Sequence, residues 1–152
     1  MVVIDSDVLL LAFAYQRDPR QADNTQFLTH IQGANPGITI YNLMEVLAQL
    51  SFNVSPTHLS DWETWLIEPY HLTVIWPHAL ENQNAETFFH AEIFENPFNK
   101  ARTQRLAFLD ALIIGLAERT PDVQGFVTWN ARHFKNKTTI PTFTPTEYLA
   151  QL

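Results

Sequence analysis

Three acids and one amide in this chain stand where an apolar run meets a helix-like run. Asp5 follows Val2-Val3-Ile4, and Glu45 comes shortly after Ile38-Thr39-Ile40. Asp110 opens Ala111-Leu112-Ile113-Ile114, and Asn130 follows Gly125-Phe126-Val127-Thr128. In an open α/β sheet, polar side chains at the carboxyl ends of strands converge on one crevice. Three carboxylates and a carboxamide gathered there make a hard-oxygen site of the kind Mg²⁺ or Mn²⁺ takes. The chemistry such a site supports is metal-assisted hydrolysis of a phosphodiester. Electrostatics points the same way: two carboxylates about 5 Å apart repel by roughly 3 kcal/mol at an effective dielectric of about 20. Such a cluster must bind a cation, take up a proton or spread apart.

Each of these residues also has a purely structural reading. Asp5 can cap the helix that follows it, with Ser6 and Asp7 as rival caps. Glu45 lies three residues after Asn42, the spacing of a capping box. Asp110 can be a first-turn acid facing the helix dipole, yet its apolar flanks Leu109 and Leu112 make an unpaired carboxylate there costly. Asn130 can be a turn residue. Thr128 reads as a strand-end residue whose hydroxyl could orient a carboxylate, and His133 as packing or a hydrogen-bond partner.

The elements that must position these groups alternate along the chain. Val2-Ile4 is a short buried strand and Val8 to Tyr15 a buried helix. Asp23 or Asn24 caps a helix carrying Phe27, Leu28 and Ile31, closed by Gly33. Ile38–Tyr41 is a second strand leading into a helix from Asn42 to about Phe52. Ser55-Pro56 is an N-cap and N1 pair opening a helix with Leu59, Trp62 and Leu66 on one face. Leu72–Trp76 is a third strand. A helix over residues 79–94 carries Phe88 and Phe89 as core, and Asn96-Pro97-Phe98-Asn99 breaks it. Leu109–Glu118 is helical, Gln124–Thr128 a fourth strand and Thr142-Phe143 a weak fifth. Thr144-Pro145-Thr146-Glu147 is a capping box opening a last short helix. The alternation implies a three-layer α/β/α sandwich with a mainly parallel sheet of four to five strands, in one domain over 1–152.

Composition bounds the function. With 46% hydrophobic and 16% charged residues the chain is neither disordered nor a coiled coil. It has no cysteine, which excludes disulfides, thiolate metal sites and a cysteine nucleophile. The longest apolar run, Val8 to Ala14, is too short to span a bilayer. No basic stretch precedes it, so a cytoplasmic protein is expected. The net charge of −7 opposes general nucleic-acid affinity, but its distribution is uneven. Lys100, Arg102 and Arg105 form one basic cluster near Asp110; Arg132, His133, Lys135 and Lys137 form another beside Asn130. Both read as RNA-contacting surfaces, or as solvated faces.

The order of segments resembles a known family. Asp5 and Asp7 follow the first apolar run; Asn42-Leu43-Met44-Glu45-Val46-Leu47, Leu109-Asp110-Ala111-Leu112-Ile113 and Val127-Thr128-Trp129-Asn130-Ala131-Arg132-His133-Phe134 come next; Thr144-Pro145-Thr146-Glu147-Tyr148-Leu149 closes the chain. This is similar to PIN domains, and the size to stand-alone VapC-type toxins of toxin–antitoxin modules. The resemblance implies a Mg²⁺- or Mn²⁺-dependent ribonuclease, often homodimeric and often inhibited by a small antitoxin protein. It implies Asp5, Glu45 and Asp110 as the catalytic acids and metal ligands, with Asn130 at a fourth position where family members frequently carry Asp, and Asp7 and Thr128 in support. Two other readings stand beside it. One is a PIN-like fold kept as an RNA- or protein-binding module. The other is a haloacid-dehalogenase-type phosphatase using Asp5 and Asp7, with Lys100 as its nominal lysine.

Overall fold

The computed structural model describes all residues from Met1 to Leu152. Five strands form one wholly parallel sheet: β1 (Val2–Ile4), β2 (Pro36–Thr39), β3 (Thr73–Ile75), β4 (Gly125–Val127) and β5 (Thr142–Phe143), in the order β3-β2-β1-β4-β5. The three central strands are buried along their whole length, as short apolar runs covered on both faces must be. Gly37 in β2 lets the Met1 side chain pack close: a Cβ there would lie 2.7 Å from Met1 Sδ and the thioether would have to move.

Side chains of β1 alternate between two cores. Val2 and Ile4 pack with helices α1 (Ser6–Ala14), α2 (Gln21–Ile31) and α3 (Ile40–Leu50), while Val3 packs with α7 (Phe108–Arg119) on the other face. Phe126 and Phe134 fill the second core, fully buried and edge-on at 5.2 Å. Each such burial contributes roughly 1.5–3 kcal/mol. This is the expected three-layer sandwich. Two short segments, α4 (Pro56–Ser60) and α5 (Ala85–His90), lie outside these layers' main helices, and α6 (Asn96–Gln104) packs along α7. The chain ends with α8 (Ala131–Phe134) and α9 (Pro145–Leu149).

Local signals set several boundaries. Ser55 caps α4 with Pro56 at its start, and Thr144 with Glu147 makes the full capping box of α9. Other boundaries differ from those expected. The second strand ends at Thr39, because the Thr39 hydroxyl caps α3 by accepting from Asn42 N at 3.1 Å. Glu45 is therefore not the third residue of an Asn42 capping box. Asn24 is not a cap either: it is buried inside α2, where Nδ2 donates to Val8 O. The 79–94 helix begins only at Ala85, capped by Asn84, and runs through a wider π-type turn into α6, with Pro97 tolerated in its first turn. Phe88 is half-buried and Phe89 is 57% exposed, so this aromatic pair is not core. No helix is long and apolar enough to cross a membrane.

Candidate active site

Three adjacent strands deliver their carboxyl ends to one place. Asp5 follows β1, Thr39 ends β2, and Thr128 follows β4. The Asp5 backbone N–H pairs with Val127 O at 2.9 Å, and the Thr128 N–H with Phe143 O at 3.0 Å, which fixes the register of the rim. Asp5 also caps α1: Oδ1 accepts from Ser6 N at 2.8 Å. The structural reading of Asp5 therefore holds, alongside a second role.

That role shows in its other partners. Asn42, fully buried in the first turn of α3, donates from Nδ2 to Asp5 Oδ1 at 2.8 Å. Asn42 is itself held by Thr39, whose hydroxyl donates to Asn42 Oδ1 at 2.6 Å. The Ser6 hydroxyl donates to Glu45 Oε2, one turn further along α3, and so joins Glu45 to the Asp5 segment. Across the sheet the Thr128 hydroxyl donates to Asp7 Oδ2 at 2.8 Å and accepts from Asn130 N at 3.0 Å.

The electrostatics of this group are strained. Burial pushes the Asp5 carboxyl up to about 8, with the negative charge of Asp7 next in importance and Glu45 adding to it. The Thr128 hydroxyl and the Ser6 N–H pull it back only in part. Asp7 is also raised, again by burial, against the opposing pull of Thr128, the backbone N–H groups of Trp129 and Asn130, and the charge of Arg20. Asp7 Oδ1 is buried with no hydrogen-bond partner. A buried carboxylate oxygen without a donor, beside a second carboxyl that cannot easily ionise, is a place that lacks positive charge.

Asp110 stands in the first turn of α7, with Oδ2 3.1 Å from Nε2 of His133 on α8. Burial raises it, and His133 and then Lys137 oppose the shift. Asn130 is exposed; its backbone reaches Thr128, while its side chain makes no capping bond. No three Asp, Glu or His side chains close on one point as a complete protein cage. A complete cage is not required by Mg²⁺, which keeps several waters and is held by one or two carboxylates. The all-oxygen set of Asp5 and Asp7, with Glu45 one hydroxyl away, fits such an ion.

The basic residues divide. Lys100, the nominal phosphatase lysine, is ion-paired with Glu118 and only 19% exposed. Arg102 Nη2 donates to Asn99 Oδ1, and Lys135 lies 3.5 Å from Glu147. Arg105 and Arg132 are exposed, and Lys137 donates to Arg105 O at 3.0 Å, so the two clusters meet at that point. Sequence reasoning missed Asn42 as a partner of Asp5, and Ser6 as the link to Glu45. A signal existed: Asn42 and Glu45, three apart, share one helical face.

The crystal structure of VapBC2 from Rickettsia felis bound to a DNA fragment from their promoter aligns with 95% of this chain and 98% of its own matched chain, at a TM-score of 0.62 and 15% identity. The fold is PIN-like. No family model and no curated protein matches the sequence. The PIN-like fold is thus carried by architecture, with the acidic rim at the strand ends where such a fold places its crevice.

Proposed function

We propose that this chain is a Mg²⁺- or Mn²⁺-dependent endoribonuclease and the toxin of a toxin–antitoxin pair. One observation carries the reading: Asp5, Asp7 and Glu45 are drawn together through Ser6 and Thr128 at the carboxyl edge of a parallel sheet, short of positive charge. Asp5 and Asp7 would hold the ion, with Glu45 and Asp110 as the further acids at its margin and Asn130 as an outer amide. Bound there, the ion supplies Lewis acidity and lowers the pKa of a water.

The chain's own residues do the remaining work. Asn42 and Ser6 fix the Asp5 carboxylate by donating to Oδ1, which leaves Oδ2 for the ion. Thr128 sets the rotamer of Asp7. Glu45, oriented by the Ser6 hydroxyl, can accept a proton from the attacking water. His133, paired through Nε2 with Asp110 Oδ2, ties α8 to the first turn of α7 and orients that carboxylate. Arg105 and Arg132 supply exposed cations for the RNA backbone.

The likeness to VapBC2 supports a small antitoxin protein as partner. Homodimerisation fits large apolar side chains left in water, among them Met44 at 60% and Phe98 at 58% exposure. Purified protein is expected to cleave structured RNA with Mn²⁺, to stop with EDTA, and to lose activity as Asp5→Asn and as Asp110→Asn. Metal-independent binding of RNA with no cleavage would replace this reading with that of a binding module.

A further inference from the structure

We infer that Arg20, laid on the indole of Trp129, contacts a phosphate of the RNA strand and positions it at the acidic crevice. The inference rests on the nuclease reading and adds a residue to it that neither basic cluster of the sequence contains.

The guanidinium is held on two sides. Nε and Nη2 donate to Asp18 Oδ1 and Oδ2 at 2.9 and 2.8 Å, and the Arg20 backbone N–H donates to Asp18 Oδ1 at 2.9 Å. Its Cζ lies over the Trp129 ring, 5.4 Å from the ring centre. Nη1 has no protein partner among the hydrogen bonds, so a two-donor edge is left facing solvent on a side chain 48% exposed. Planar guanidinium edges match phosphate oxygens in pairs.

The platform beneath is rigid and tied to the crevice. Trp129 Nε1 donates to Asn24 Oδ1 at 2.8 Å, and the fully buried Asn24 donates to Val8 O at 3.0 Å. Trp129 directly follows Thr128, which holds Asp7. Arg20 is also the cation whose charge acts on Asp7. Lys100 and Arg119 are engaged elsewhere, with Glu118 and with the buried Glu92, and the exposed Arg105 and Arg132 belong to the two basic clusters. A phosphodiester approaching clustered carboxylates is repelled unless a cation stands at the rim. Arg20 occupies that place, supported by Trp129, which lowers the entropy lost on contact.

The bland account makes the Asp18–Arg20 pair a clasp for the turn before α2. Arg20 does sit at the N-cap position of that helix, though its side chain makes no capping bond. The two accounts predict opposite behaviour of the partner residue. If the pair is a clasp, Asp18→Ala and Arg20→Ala do equal harm. If Arg20 contacts phosphate, Asp18→Ala leaves RNA binding unchanged or tighter, because it removes a negative charge and frees donors, while Arg20→Ala weakens it.

The experiment is fluorescence anisotropy of a labelled oligouridylate with the full chain carrying Asp5→Asn, alone and combined with each change, over a range of salt. Arg20→Ala is expected to weaken binding about tenfold and to reduce the slope of log K against log salt by about 0.7, the value for one phosphate contact on a single strand. Arg20→Lys, which keeps the charge without the fork, is expected to retain the slope and lose part of the affinity. Equal weakening by Asp18→Ala and Arg20→Ala with an unchanged slope overturns the inference. Cleavage by the wild-type protein with the same KM in Arg20→Ala overturns it alone. No binding and no cleavage by any form overturns the nuclease reading with it.

Discussion

Asn42 Nδ2 and Asp5 Oδ1 meet at 2.8 Å although 37 positions separate them in the chain. The contact exists because β1 and β2 are parallel neighbours, so the segment after each strand emerges on the same edge. It makes Asp5 both a helix cap and the anchor of a buried polar chain that runs from Thr39 through Asn42.

Removing that anchor should be felt in stability and at the site together. Asn42→Ala deletes a hydrogen bond inside a buried network and leaves its partners unpaired, which costs about 1–3 kcal/mol. The thermal midpoint is expected to fall by roughly 3–10 °C for a chain of this size. Activity at a temperature where the variant is folded should fall as well. A stable variant with wild-type turnover would show that Asp5 does not depend on Asn42.

The Asp5 shift has a defined sign. Its carboxyl rises from 3.8 to about 8, so the folded protein keeps a proton that the unfolded chain has released. This contribution is complete below the ordinary carboxylate range and is lost as pH rises through about 8. In EDTA the midpoint of unfolding is expected to fall between about pH 5, where ordinary carboxylates have ionised, and the alkaline end. Asp5→Asn should flatten that fall, and Mn²⁺ should stabilise the wild-type protein most where the proton has gone. An equally steep fall in Asp5→Asn, followed by differential scanning fluorimetry, would place its origin elsewhere.

Lys100 should behave as a structural cation. Glu118 accepts from Lys100, from Thr138 Oγ1 at 2.8 Å and from Thr139 N at 2.9 Å, so it ties α7 to α6 and to the segment before β5. Burial alone would raise Glu118, but these donors win and hold it below its usual value. Its contribution is therefore present above the ordinary Glu range and lost as pH falls through the depressed value. Lys100→Met is expected to lower the stability by about 1–2 kcal/mol, within the range for a partly buried pair, while the salt slope of RNA binding stays the same. A reduced slope would return Lys100 to the RNA surface.

Asn130→Asp tests the fourth position. Each unit of charge about 4 Å from a divalent ion interacts by up to roughly 8 kcal/mol at an effective dielectric of about 20, before desolvation and repulsion are subtracted. The Asn130 side chain is exposed and bonds to none of the acids, although its backbone N–H lies against Thr128 and Asp7. Isothermal titration with Mn²⁺ is expected to show unchanged affinity. Tighter binding would put Asn130 in the ligand shell.

What the sequence determined is what neighbouring residues decide. The alternation of apolar runs and helical periods fixed the strands at Val2–Ile4, 73–75, 125–127 and 142–143 to within a residue or two, because each central strand is one short apolar run. Ser55-Pro56 and Thr144 with Glu147 act as caps as expected, since a cap bonds only to its own first turn. Asp5 was visible as a strand-end acid for the same reason. Local rules failed where a distant partner competed. Thr39 rather than Asn42 caps α3, since Asn42 is drawn to Asp5, and Asn24 joins α2 to α1 and Trp129 in place of capping its own helix.

Only the tertiary structure decided which polar groups meet. The order β3-β2-β1-β4-β5 sets Asp5 between Asn42 on one side and Thr128 on the other, and nothing in the linear pattern specifies that order. It also decided which charges are satisfied across the fold: Lys100 by Glu118 and Asp110 by His133. A charge in sequence carries a sign and a reach. Whether it is neutralised, or left to act on a ligand, depends on desolvation and on partners tens of residues away, and these exist only once the sheet has closed its layers.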